Sequence, residues 1–164
     1  MHIRLSTEAD KSSISTLMSY CFGDREQYGA LDDLNGRYIL AFDEDILVAM
    51  TGIIFNTDYN AFEIDWTCTH PQYQRRGIMH ELFKRVCNLT DEVTYCSCWR
   101  YENEPQVNLH SLMRDFGFKE VVRNKISCDS RYNCPASRRG LCVAFNVDAE
   151  YCRCYEDLYV REIL

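Results

Sequence analysis

Residues Glu63–Val86 read E-I-D-W-T-C-T-H-P-Q-Y-Q-R-R-G-I-M-H-E-L-F-K-R-V, and the fold turns on them. Phe62–Thr69 alternates apolar and polar residues, which predicts a strand with Glu63, Asp65 and Thr67 on one side. His70–Arg76 is polar and turn-like. Gly77 then opens a helix whose apolar stripe is Ile78, Leu82, Phe83 and Val86. The first N–H groups of a helix lack internal partners, and the macrodipole adds positive potential there. A strand–turn–helix of this kind therefore suits a pyrophosphate. Gly77 has no side chain to keep a ligand off the backbone. Arg75 and Arg76 add positive charge to a chain that is otherwise acidic.

Upstream, His2–Leu5 reads as a first strand. Thr7-Glu8-Ala9-Asp10 is a capping-box pattern, and Ile14, Leu17, Met18 and Cys21 follow at helical spacing up to Gly23. Arg25–Leu34 is a polar, partly helical connection. Tyr38–Phe42 and Ile46–Phe55 flank Asp43-Glu44-Asp45 and pair as a hairpin. Downstream, Val93–Trp99 is a strand. Pro105–Phe116 is a helix with Pro105 in its first turn and Gly117 at its end. Lys119–Cys128 and Cys152–Ile163 read as the closing strands. No repeat, low-complexity tract or linker divides the chain, so one domain over residues 1–164 is expected, with a Cys-rich extension at about 128–154.

The charge balance of -7 argues against a general nucleic-acid binder and allows a cationic partner. Met1–Asp10 has no apolar run of the secretory kind, and no stretch is apolar enough to span a bilayer. A cytoplasmic protein is expected. Ten cysteines without an export signal read as reduced thiols rather than a disulfide framework. Cys128, Cys134, Cys142, Cys152 and Cys154 lack a C-x-x-C pair, so no metal site is expected.

Thr69-His70-Pro71-Gln72-Tyr73 followed by Gln74–Met79 resembles the acyl-CoA-binding motif of the GNAT superfamily, the GCN-related N-acetyltransferases. That motif is Q/R-x-x-G-x-G/A, and Met79 stands where the family prefers Gly or Ala. Leu112-Met113-Arg114-Asp115-Phe116-Gly117-Phe118 is similar to the family's later L-Y-x-x-x-G-F segment. The resemblance covers about Ile3 to Val122 plus a final strand. It implies an α/β fold: a mixed, mostly antiparallel twisted sheet with helices on both faces. It implies transfer of an acetyl group from acetyl-CoA, as co-substrate, to a primary amine by direct attack in a ternary complex. The alternative is a catalytically weak acyl-CoA-binding or sensor protein of the same fold.

Site residues follow by position. The backbones of Cys68 and Thr69 would pair with the pantetheine arm like an added strand. Gln74, Arg75, Arg76, Gly77, Ile78 and Met79 would form the pyrophosphate turn. Asn103, or Asn108, would contact the pantetheine. Glu63 falls where several family members carry a catalytic Glu, with Asp65 on the same face one pleat closer to the turn. A carboxylate can take the proton of the attacking amine. The family's Tyr acid is replaced by Met113, which cannot donate a proton; water or another group such as Tyr101 would serve. The expected partner is a small-molecule or peptide amine, cationic, with no nucleic acid or membrane, and a homodimer is compatible with it.

Overall fold

The computed structural model describes residues 1–22, 34–100, 109–125 and 155–162. Among these described residues, seven strands form one sheet: β1 His2–Leu5, β2 Tyr38–Asp43, β3 Ile46–Asn56, β4 Ala61–Thr69, β5 Thr94–Arg100, β6 Lys119–Lys125 and β7 Tyr155–Arg161. The α-helices among the described residues are α1 Lys11–Phe22, α2 Ile78–Val86 and α3 His110–Asp115. The spatial order is β1-β2-β3-β4-β5-β7-β6. Every neighbouring pair is antiparallel except β4 and β5, which are parallel.

The sheet separates two apolar layers. On one face Ile14, Leu17 and Met18 of α1 pack on Tyr38, Leu40, Phe42, Leu47, Met50 and Cys68. On the other, Ile78, Leu82, Phe83 and Val86 of α2 and Met113 of α3 pack on Ile39, Ala41, Ala49, Ile64 and Cys96. Apart from Cys21, which is half-buried near the end of α1, the helical stripes read from the sequence are therefore the buried ones. Leu82 and Phe83 are fully buried, and truncating either to Ala would cost about 2–5 kcal/mol.

The turns also follow the sequence. Before α1, Asp10 accepts from the Thr7 backbone N–H at 2.8 Å and the Thr7 hydroxyl at 2.9 Å. Gly117 ends α3 at φ 80°, a left-handed conformation that favours glycine. The segment Arg25–Asp33, residues 101–108 with Tyr101, Asn103, Pro105 and Asn108, and the Cys128–Cys154 stretch lie outside the described residues.

One feature of the sheet positions the site. β4 pairs with β5 only through Phe62–Thr94, Glu63–Tyr95 and Ile64–Cys96. β4 then continues to Thr69 and β5 to Arg100 without pairing to each other. Between the two strands the sheet opens into a wedge. Trp66 lies at φ 47°, and the β3–β4 register shifts between Met50 and Gly52. This β-bulge turns the end of β4 away from β5.

The bulge overturns the simple alternation. Asp65 lies over Gly52 beside the Tyr38 ring, whereas the Thr67 hydroxyl meets that of Thr51 at 2.8 Å. Thr51 and Gly52 face opposite sides of β3, so Thr67 does too relative to Asp65. Glu63 and Asp65 share a face, and Thr67 does not join them.

Candidate active site

The wedge has a carboxylate pair at its fork and a helix start at its far end. At the far end, the short turn Pro71–Tyr73 leads from β4 towards α2. Arg75 and Gly77 both take positive φ, 61° and 76°. Alternating hands of this kind point successive N–H groups to one side, the arrangement that cradles anions. The first bond into α2 is from Glu81 N–H to the Gly77 carbonyl, 3.2 Å. The N–H groups of Gly77, Ile78 and Met79 precede it and have no intrahelical partner. A Cβ at Gly77 would meet nothing within 4 Å. Glycine is favoured there by the backbone angle and not by a crowded neighbour.

The motif side chains divide. Arg75 and Arg76 are exposed. Arg76 donates to the Gln72 carbonyl at 2.9 Å and lies 4.8 Å from the Tyr73 ring centroid, so its charge is held at the turn. Gln74 folds back to donate to the Thr69 carbonyl at 3.3 Å, tying the turn to the end of β4. Ile78 is buried, and the half-buried Met79 packs against the α2 layer. Cys68 is buried with α1, and burial and the nearby Cys21 thiol hold its own thiol well above the usual range. A thiol so held is packing and not a nucleophile.

At the fork, Glu63 is half-buried. Its Oε2 accepts from the Tyr95 hydroxyl at 2.6 Å and from the Asn56 amide at 3.2 Å. The same amide donates to the Tyr95 oxygen at 2.8 Å. Burial, and then the bond to Glu63, pushes the Tyr95 hydroxyl up, so it stays protonated at neutral pH and remains a donor. Asp65 sits one pleat further along, against Arg37 at 2.5 Å. Burial raises its carboxyl, and the Arg37 charge opposes that only in part. Three polar atoms of this centre, Arg37 Nε, Tyr38 Oη and Asp65 Oδ1, are buried without a hydrogen-bond partner.

Sequence reasoning missed several contributors, Asn56 among them. Arg37 and Tyr38 come from β2 and its approach, 28 and 27 positions from Asp65, and nothing local in the sequence ties them together. Tyr95 reaches Glu63 through the short parallel pairing. Gly52 did leave a signal: an isolated glycine inside a strand marks a close approach. A Cβ there would stand 2.2 Å from Asp65 Oδ1 and 2.8 Å from the Tyr38 ring. Met113 is fully buried in the α2–α3 layer.

No curated protein matches the chain in sequence. Solved structures share its fold. An aminoglycoside 6'-N-acetyltransferase complexed with coenzyme A superposes with a TM-score of 0.71 at 11% identity, covering 100% of this chain and 98% of its own. The aminoglycoside 6'-N-acetyltransferase of Enterococcus faecium gives 0.68 at 12% identity, with 100% and 98% covered. A ribosomal-protein alanine N-acetyltransferase from Escherichia coli gives 0.66 at 14%, with 99% and 93% covered. Identities this low establish a common fold and no more. The acetyltransferase (GNAT) domain family, however, matches residues 2–95 directly, over half of the 164. The chain belongs to the GNAT family of acetyl-CoA-dependent acetyltransferases.

Proposed function

We propose that the chain is an N-acetyltransferase in which a cationic primary amine attacks the thioester of acetyl-CoA directly, with Glu63 taking the amine proton. The observation that carries this is the fork itself. Glu63 lies on the last pleat of β4 still paired to β5, and the strands part after Ile64. The free edge of β4 leads from there to the helix start at Gly77.

Each residue then has a task. Acetyl-CoA supplies the activated acetyl group. The backbones of Cys68 and Thr69 pair with the pantetheine arm, replacing the hydrogen bonds that β5 no longer gives. The N–H groups of Arg75, Arg76, Gly77 and Ile78 hold the pyrophosphate, and Arg75 and Arg76 add charge to that hold. Gln74 fixes the turn to the strand. Met79 supports the first turn of α2 from below, and Asn103 adds a contact to the pantetheine.

A lysine-like amine at pH 7 must lose a proton, at a cost of roughly 4–5 kcal/mol. Glu63 faces the side from which the amine enters and can accept that proton directly or through one water. Tyr95 and Asn56 both bond its Oε2, which leaves Oε1 for the amine. Asp65 stays with Arg37 and supplies negative potential near the fork. Among the described residues Cys21, Cys68, Cys87, Cys96 and Cys98 are all free thiols, which supports a reducing, cytoplasmic setting.

The test is Glu63→Gln, assayed by CoA release with a panel of amines. Turnover at neutral pH should fall on the order of 10²–10⁴-fold, with acetyl-CoA affinity almost unchanged. The deficit should shrink as pH rises towards the amine's own pKa. Wild-type turnover across the pH range would reduce Glu63 to a bystander and make Asp65 the next candidate.

A further inference from the structure

Below the fork, on the α1 side of the sheet, four residues from three strands and one from a hairpin meet. Ile54 stands opposite Glu63 in the β3–β4 ladder, and Glu63 stands opposite Tyr95. Asn56 lies two residues beyond Ile54 and so on the same side. The hairpin between β3 and β4 brings Tyr59 over the end of this row. Its ring meets Tyr95 edge to face, with centroids 5.5 Å apart and planes at 74°. Asp58, on the same hairpin, donates its backbone N–H to Asn56 Oδ1 at 3.0 Å. That bond fixes the Asn56 amide so that its NH₂ group faces Glu63 and Tyr95.

The row is polar at one point and open elsewhere. Ile54 is 39% exposed and Tyr59 is 73% exposed. An aromatic ring left this open gains little from burial. Most of its surface is open to solvent, and a ring holds a cation most strongly on its face. Tyr59 is also tied to the reacting end: its ring touches Tyr95, whose hydroxyl bonds Glu63 at 2.6 Å. The ring and the Glu63 carboxylate are thus separated by on the order of 10 Å, the width of one tyrosine between them. Ile54 lines the edge of Glu63 with an apolar surface suited to methylenes.

We infer that Tyr59, with Tyr95 and Ile54, forms a subsite for a second positive charge of the acceptor, so that the enzyme prefers amines bearing two cationic groups joined by an aliphatic spacer. The inference rests on the reading of Glu63 as the group that receives the reacting amine. The amine to be acetylated sits at Glu63 beside Ile54, the spacer runs past Tyr95, and the distal ammonium or guanidinium covers the Tyr59 ring. No bond is made or broken at Tyr59; its contribution is to binding.

The experiment compares kcat/KM for alkyl monoamines and alkyl diamines of matched and increasing chain length, in wild type, Tyr59→Ala and Tyr59→Phe. In the wild type, diamines of sufficient length should exceed monoamines by about 3–10-fold, carried by KM, the range that an exposed to partly desolvated cation–π contact supports. Tyr59→Ala should bring that ratio close to one, and Tyr59→Phe should keep it, because the ring and not the hydroxyl holds the charge. A wild-type ratio near one, or a ratio that survives in Tyr59→Ala, overturns the subsite while leaving acetyl transfer in place. If wild-type protein acetylates no amine at all, the parent reading of the active site fails instead, and this subsite fails with it.

Discussion

Two arginine–aspartate pairs in this molecule have the same shortest contact, 2.5 Å, and opposite electrostatic outcomes. Arg4 grips Asp10 with both terminal nitrogens, and Thr7 adds its backbone N–H and hydroxyl. The Arg4 hydrogen bonds outweigh burial and hold the Asp10 carboxyl down at about 2. Arg37 reaches Asp65 through one nitrogen. Burial outweighs that contact and raises the Asp65 carboxyl. It also pushes the neighbouring Tyr38 hydroxyl up to about 12, with the Asp65 charge adding to the effect. The distance between charges therefore says little. What decides is how many donors replace the water that a carboxylate gives up. Asp10 has all its needs met and helps close the start of α1. Asp65 is left short beside two other orphaned polar atoms, and it lies at the fork where we place the chemistry. Unmet hydrogen-bonding capacity of this kind collects at functional sites.

Removing Asp65 should have the largest effect. Asp65→Ala would leave the Arg37 charge part-buried with nothing opposite it. Removing one member of such a pair should cost about 2–4 kcal/mol, which for a chain of this size lowers Tm by about 5–15 °C. The double change Arg37→Met with Asp65→Leu should recover most of the loss, since replacing both partners removes the stranded charge. Thermal melts of the two variants decide it. If Asp65→Ala melts with the wild type, the pair behaves as a surface pair and the contrast with Arg4–Asp10 collapses.

The sequence foretold one half of this comparison and not the other, for a physical reason. Thr7 and Asp10 are three positions apart, and a capping box is a local pattern. The apolar stripes of α1 and α2, the hairpin, and the strand–turn–helix at Gly77 are local in the same sense. Each could be read from spacing alone. The Asp65 centre draws on β2, β3 and β4, and the Tyr95 bond to Glu63 crosses 32 positions. Contacts of that range depend on sheet order and register, which periodicity does not contain. The bulge at Trp66 shows the same limit. A tryptophan at φ 47° is not a local preference. It is imposed by the strands on either side, and it took Thr67 off the face that alternation had assigned to it.

Gly52 lies directly against the Asp65 centre. A Cβ there would overlap Asp65 Oδ1 at 2.2 Å and crowd Tyr38 at 2.8 and 2.9 Å. Tyr38 is fully buried and cannot yield easily. Gly52→Ala should therefore displace Asp65 and cost about 1–3 kcal/mol, a Tm loss of about 3–10 °C. Turnover should fall as well, because the shift reaches the strand that carries Glu63. A Gly52→Ala protein with unchanged melting and turnover would mean that Asp65 moves aside freely and that its placement over Gly52 has no consequence.

The smallest expected effect belongs to the satisfied pair, and it is separable by its dependence on pH. The Asp10 carboxyl is held at about 2 in the folded chain against an ordinary value of 3.8. A depressed carboxyl adds stability above its unfolded pKa and loses it as pH falls towards its folded one. Asp65 has the opposite sign: its raised carboxyl favours the fold most at low pH, and that share is lost as pH rises through 3.8 towards its folded value. Asp10→Asn should therefore lower Tm by about 2–4 °C at neutral pH, or about 1 kcal/mol, because the Arg4 side chain is still 37% exposed and solvent screens its charge. The difference from wild type should narrow between pH 4 and pH 2 and vanish below that, when Asp10 is protonated in both states. Asp65→Asn, melted over the same range, should show its deficit change in the other direction. Two parallel curves would mean that both carboxylates answer to their arginines alone, and that burial does not separate them.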